Sequence, residues 1–160
     1  MKIGLALRGL HASEDDLAHE LLRVAARHQA DQELFHTGQL LARWSQDHVR
    51  AVAAIAHRYG QELDPEPRDR ADGARRLLEQ GSELVGRMRS GELLVLRDLR
   101  ETAMKAYGVS TEWEMVAQAA QGARDPDLLA VCQQCHPQTL RQLRWANAQI
   151  KVLSTQALLA

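Results

Sequence analysis

The chain has 160 residues, of which 45% are hydrophobic and 26% are charged, which is an average composition for one folded globular domain. Only 4% of the residues are aromatic, so the core must consist mainly of leucine, alanine and valine, which suits close packing of helices. With 20 basic and 21 acidic residues the net charge is −1, and no overall field would attract nucleic acid or an anionic membrane.

The first predicted helix spans about residues 13–29. Ser13 and the three acidic residues that follow it are typical of a helix start, because negative charge is favourable at a helix N-terminus. Leu17, Leu21 and Val24 recur at helical spacing and define the face that we expect to be buried.

The second predicted helix, residues 31–60, carries the most informative pattern in the chain. Asp31 can cap its start, and Gly60 is a natural stop. Its apolar stripe, at steps of three and four residues, consists of Leu41, Trp44, His48, Val52, Ile55 and Tyr59. An imidazole on such a stripe predicts either a metal- or proton-binding histidine or a half-buried histidine that is hydrogen-bonded to a neighbouring helix.

A long connection is predicted for residues 61–90. Its first part is polar and holds two prolines, as linkers do, while the leucines between residues 70 and 88 predict a short helix inside the connection.

The third predicted helix spans about residues 91–107 and ends at Gly108. Thr111 and Glu114 resemble a capping box, which predicts a separate helical piece that runs to about residue 122. A break at this point could change the direction of the chain.

Asp125 and Pro126 predict the start of the fourth helix, because a capping aspartate is followed by proline at the first helical position. The apolar pattern continues to Ile150, with a kink or an interruption at Pro137. The sequence therefore predicts one all-α domain over residues 1–160, a four-helix bundle with a long crossover between its second and third helices.

Nothing in the sequence resembles a membrane helix or a leader. The longest unbroken apolar run, residues 51–56, is far below the roughly 20 residues that span a bilayer, and Arg8 interrupts the apolar N-terminus. We therefore expect a cytoplasmic protein in which Cys132 and Cys135 are reduced thiols rather than a disulfide.

The helix layout, with RWSQDHVRAVAAIAHRYG closing the second helix and LLAVCQQCHPQTLRQLRWANAQIK in the fourth, resembles the ferritin-like superfamily. The chain is most similar to short bacterial ferritin-like proteins of unknown function, over about residues 12–152. In such proteins, carboxylates on the first and third helices join a Glu-x-x-His pair on each of the other two around two metal ions.

The resemblance implies particular ligands in this chain. The histidines would be His48 and His136, but Ser45 and Gln133 stand three residues before them, where the family has glutamate. The carboxylates would come from Glu14 or Glu20 and from Glu101, Glu112 or Glu114. We expect the di-iron site to be degraded or absent. The alternative is a site for iron, manganese or zinc formed by His48, His136, Glu20 and Glu112.

A second pattern is the pentapeptide Cys132-Gln133-Gln134-Cys135-His136, which matches C-x-x-C-H, the attachment pattern of c-type haem. Haem attachment would need export, and Pro137 directly follows the histidine. Both cysteines also lie on the apolar stripe, where cysteine acts as a small hydrophobe. We favour core packing, with a thiol redox pair or a soft-metal site as alternatives.

From the sequence we expect a non-catalytic binding or assembly role without a resident cofactor. The partner would be a second copy, through an apolar helix face, or an unidentified protein, and neither nucleic acid nor a membrane. Two alternatives stay open: a divergent metal-dependent oxidase or peroxide-handling protein, and a c-type haem protein.

Overall fold

The computed structural model describes residues 2–66 and 91–159. Within them the chain forms no strand and four α-helices: α1 (Ile3–Arg27), α2 (Gln32–Ala56), α3 (Gly91–Ala123) and α4 (Pro126–Leu159). A short 3-10 helix, His57–Tyr59, follows α2. The all-α prediction is confirmed, while the short helix predicted between residues 70 and 88 lies outside the described residues. None of the four helices is apolar over a stretch long enough to cross a bilayer, as far as the described part of the chain extends.

The helices form two antiparallel hairpins. Asp31 caps α2 by accepting a hydrogen bond from the Leu34 amide at 3.1 Å, and Asp125 caps α4 through the Leu128 amide, also at 3.1 Å. Gly60 ends the 3-10 turn with φ +72°. These predicted boundaries are confirmed. Within the pair of hairpins α1 packs on α3, and the backbones of α2 and α4 approach each other at fewer points.

Helix α1 starts much earlier than predicted. It begins at Ile3, and Leu7 and Leu10 are completely buried, so their burial extends the helix beyond the capping signal. Ser13 caps nothing, because its hydroxyl donates to Glu112 Oε1 at 3.0 Å on α3.

Helix α3 is continuous, so the predicted end at Gly108 is wrong. The Thr111 hydroxyl donates to the carbonyl of Tyr107 at 3.0 Å, a bond within the helix instead of a cap. Burial of Val109 and Trp113 outweighs the roughly 1 kcal/mol that a glycine costs in a helix interior. Helix α4 likewise runs through Pro137 without interruption.

Candidate functional site

The carboxylate of Glu14 on α1 is completely buried and joins all four helices. Its Oε1 accepts hydrogen bonds from His48 Nδ1 on α2 at 2.8 Å and from Trp113 Nε1 on α3 at 2.7 Å. A longer bond, 3.4 Å, comes from Thr139 Oγ1 on α4. The other oxygen, Oε2, has no hydrogen-bond partner among the residues that the structure describes.

His48 lies beside this carboxylate and is only 1% exposed. Its Nδ1 faces Glu14 Oε1, and its Nε2 faces Gln138 Oε1 at 2.8 Å. Both nitrogens thus meet oxygen acceptors, and only an imidazolium donates from both. Burial lowers the pKa of His48, but the hydrogen bond and negative charge of Glu14 outweigh this effect and raise the pKa above its usual 6.5. These contacts favour the protonated form of His48, which would make an ion pair with the buried Glu14 carboxylate.

Further polar contacts connect α2 to α4 next to this pair. Gln142 Nε2 donates to Ser45 Oγ and to the Leu41 carbonyl, each at 2.9 Å. Ser45 and Gln142 are completely buried. Long polar side chains therefore bridge α2 and α4, whose backbones approach each other at fewer points than those of the other packed helix pairs.

The structure does not bring the other predicted metal ligands to His48. His136 Nε2 lies 2.8 Å from Ser110 Oγ, and Glu20 Oε2 accepts from Arg23 Nε at 3.1 Å. Glu112 is bonded to Ser13, and its pKa is raised by burial and by the negative charge of Glu14. No group of three or more His, Cys, Asp or Glu residues suited to a metal ion occurs in the two described stretches.

The two cysteines of the C-x-x-C-H motif are packed into the hydrophobic core, each 2% exposed. Burial raises the pKa of Cys132 to about 11 and that of Cys135 to about 12. Both are therefore neutral thiols near pH 7, and neutral thiols are poor nucleophiles and poor metal ligands. This environment favours the core-packing interpretation.

A second buried carboxylate, Asp98 on α3, was missed in the sequence. Arg27 Nη1 donates to both of its oxygens at 2.9 and 3.0 Å, and His28 Nε2 lies 2.8 Å from Oδ2. Burial raises the pKa of Asp98, but the His28 hydrogen bond and the positive charge of Arg27 and Arg23 lower it below its usual value. These contacts join the C-terminal end of α1 to α3.

A small pocket of about 170 Å³ opens between α1 and α3, where Ser13 and Glu112 form part of its wall. A water molecule occupies about 30 Å³ in the liquid, so the pocket has room for a few waters. An ion pair between Lys105 and Asp16 lines it on the solvent side. A pocket of this size does not suit an organic substrate.

The side of α3 that faces away from the core carries a row of exposed side chains, which we term the outer row: Leu93, Arg97, Arg100, Met104, Tyr107, Thr111 and Met115. Steps of three and four residues place them on one helix face. Met104, Tyr107 and Met115 are 54%, 66% and 57% exposed. Single exposed apolar residues are common, but several on one face mark a candidate contact surface.

Comparisons with protein-family models, with curated proteins and with solved structures found no match to this chain.

Proposed function

We propose that this chain is a non-catalytic helical bundle, ferritin-like in architecture with a degraded di-iron site, that acts by binding a protein partner. The observation that carries the proposal is the outer row of α3, where Met104, Tyr107 and Met115 are exposed on one face. Methionine and tyrosine are enriched in protein interfaces relative to the rest of the surface. A face of this kind loses its contact with water when a partner covers it.

The state of the buried polar side chains supports a structural role for them. Oε1 of Glu14 and both ring nitrogens of His48 are hydrogen-bonded, to each other and to side chains of α3 and α4. The thiols of Cys132 and Cys135 are held neutral by burial. Side chains that are engaged in this way specify the packing of a core and are not free to meet a substrate.

Site-specific photo-crosslinking in cells tests the proposal. A photoreactive amino acid replaces Tyr107 in one version of the full chain and the exposed Arg43 of α2 in the control. We expect a discrete protein adduct from position 107 and none from position 43. Equal labelling at the two positions, or none at position 107, would contradict a binding role for the outer row.

The metal-dependent oxidase is a second candidate, favoured by one specific observation. Oε2 of Glu14 and Oε2 of Glu112 are both buried and both lack a hydrogen-bond partner within the described residues. A buried carboxylate oxygen needs a donor, a proton or a cation. Elemental analysis of the purified chain separates the candidates, because one equivalent of iron, manganese or zinc that is lost in Glu14→Gln would favour the oxidase.

A further inference from the structure

Charges on and directly beside the outer row of α3 are ordered in a way that fits a second copy of the same chain. Arg100 and Glu114 lie seven residues before and after Tyr107, and both are exposed. Seven residues are almost two helical turns, so the three side chains lie along one line of the helix. Arg100 and Glu114 are therefore placed symmetrically about Tyr107.

We propose that two copies pair through antiparallel α3 helices, with a two-fold axis at Tyr107. The inference rests on the proposed binding function and names its partner. In such an isologous contact the same patch serves both copies, so Arg100 of one copy lies opposite Glu114 of the other, twice per dimer. A parallel pair would instead place Arg100 beside Arg100 and Glu114 beside Glu114, which like-charge repulsion disfavours.

Two local features leave this face free to pair. Arg100 already contacts Glu101 at 3.1 Å, but both side chains are well exposed, and a surface ion pair of this kind contributes little. Arg100 can therefore change partners at little cost. Gly108 follows Tyr107 and lines the pocket between α1 and α3, and a methyl group built there would meet nothing within 4 Å, so no neighbouring atom crowds the backbone beside Tyr107.

The other exposed large apolar side chains lack this arrangement. Leu5 and Leu40 are single residues on α1 and α2, and the remainder lie near the end of α4. None of them has opposite charges placed symmetrically around it. The outer row is therefore the surface of the described chain that best fits a symmetric partner.

Cysteine cross-linking of the full chain tests the position of the axis. In Tyr107→Cys the two introduced thiols meet at the axis, and we expect an interchain disulfide on mild oxidation. In the control, Met115→Cys, equivalent positions lie 16 residues apart along the pair, or about 24 Å, and we expect no cross-link. A cross-link at position 115 without one at position 107, or at neither position, would overturn the inference.

Charge reversal tests the pairing itself, with sedimentation equilibrium as the measurement and circular dichroism as the check on folding. We expect Arg100→Glu and Glu114→Arg each to raise the dimer Kd by about 10-fold, and the double variant to return within about 3-fold of wild type. A wild-type chain that is monomeric at about 100 µM, a concentration at which even weak complexes form, overturns the inference. The binding function would stand if position 107 then crosslinked to a different protein, and would fall if it crosslinked to none.

Discussion

The side chains of Glu14 and His48 are both buried and hydrogen-bonded to each other. Each offsets the cost of burying a charge on the other. Removing one member of a buried ion pair leaves the other charged and uncompensated, which costs far more than the pair itself contributes. The sequence placed His48 on the core stripe and left open a metal- or proton-binding role or a half-buried histidine with a hydrogen bond to a neighbouring helix. The structure shows a fully buried histidine that makes such a hydrogen bond. It did not identify Glu14 as the partner, because contacts between distant helices depend on how the helices are aligned.

We expect His48→Ala to lower the free energy of unfolding by about 3 to 5 kcal/mol, because the buried Glu14 carboxylate loses its positively charged partner. Urea denaturation measures the change. The matched control is His36→Ala, at an exposed histidine of the same helix, for which we expect less than about 0.5 kcal/mol. A loss below about 1 kcal/mol in His48→Ala would show that the pair is not charged.

The raised pKa of His48 makes stability depend on pH. The folded chain holds this proton more tightly than the unfolded chain, so the contribution is complete below about pH 6.5 and is lost as the pH rises through the folded value. Glu112, whose pKa is also raised, acts with the same sign at lower pH. Urea titrations from pH 6 to 8, below the range in which the unfolded thiols of Cys132 and Cys135 ionise, should show a decline in wild type that is absent in His48→Gln. An equal decline in both would assign it to another group.

At the scale of the helix, the signals that predicted boundaries correctly are those whose capping bond or left-handed glycine is present in the structure. Asp31 and Asp125 each accept a hydrogen bond from an amide in the first turn of a helix, where the amides have no partner within the helix. Gly60 adopts a left-handed backbone conformation. Ser13 and Thr111 are also capping residue types, but both lie inside helices. The Ser13 hydroxyl donates to the carboxylate of Glu112 and the Thr111 hydroxyl to the carbonyl of Tyr107. The sequence alone does not show whether a local capping bond stabilises the chain more than the burial of apolar residues, because that burial depends on the whole fold.

Replacement by alanine should change the free energy of unfolding in opposite directions at two helical glycines. Gly108 has open space around it, so Gly108→Ala should raise the free energy of unfolding by up to about 1 kcal/mol. At Gly4 an added Cβ would lie 2.6 Å from the carbonyl oxygen of Tyr59, so Gly4→Ala should destabilise the chain. Denaturant midpoints at low protein concentration compare the two. Destabilisation by Gly108→Ala would contradict a continuous α3.

At the scale of the whole molecule, the all-α class and the four long helices followed from periodicity, since helices with one apolar face must pack together. The composition of the buried polar cluster did not follow in the same way. Glu14 lies between Leu10 and Leu17 on the buried stripe, a signal that could have marked it as a core carboxylate. Trp113 and Thr139 reach the Glu14 carboxylate only because the alignment of α3 and α4 along the bundle places both of them beside it.

The core as a whole should protect both native cysteines from alkylation. With pKa values of about 11 and 12, Cys132 and Cys135 hold little thiolate at pH 8. We expect iodoacetamide to react at least about 100-fold more slowly than with the urea-unfolded chain. The exposed thiol of Arg43→Cys, assayed in reductant-treated chain, is the control for reagent activity. Rapid labelling of folded wild type would mean that the core opens readily.

Helix α1 is attached to α3 by two buried carboxylates, Glu14 and Asp98, whose partners Trp113 and Arg27 lie on the opposite helix of the pair. The two attachments are 13 residues apart on α1, or about 20 Å. A slip of one helical turn, about 5.4 Å, would break both of these hydrogen bonds between α1 and α3 at the same time, Trp113 to Glu14 and Arg27 to Asp98. Apolar contacts alone are compatible with several alignments of α1 against α3. The two hydrogen-bonded carboxylates instead favour one alignment over the others, which widens the energy gap between the native fold and its competitors.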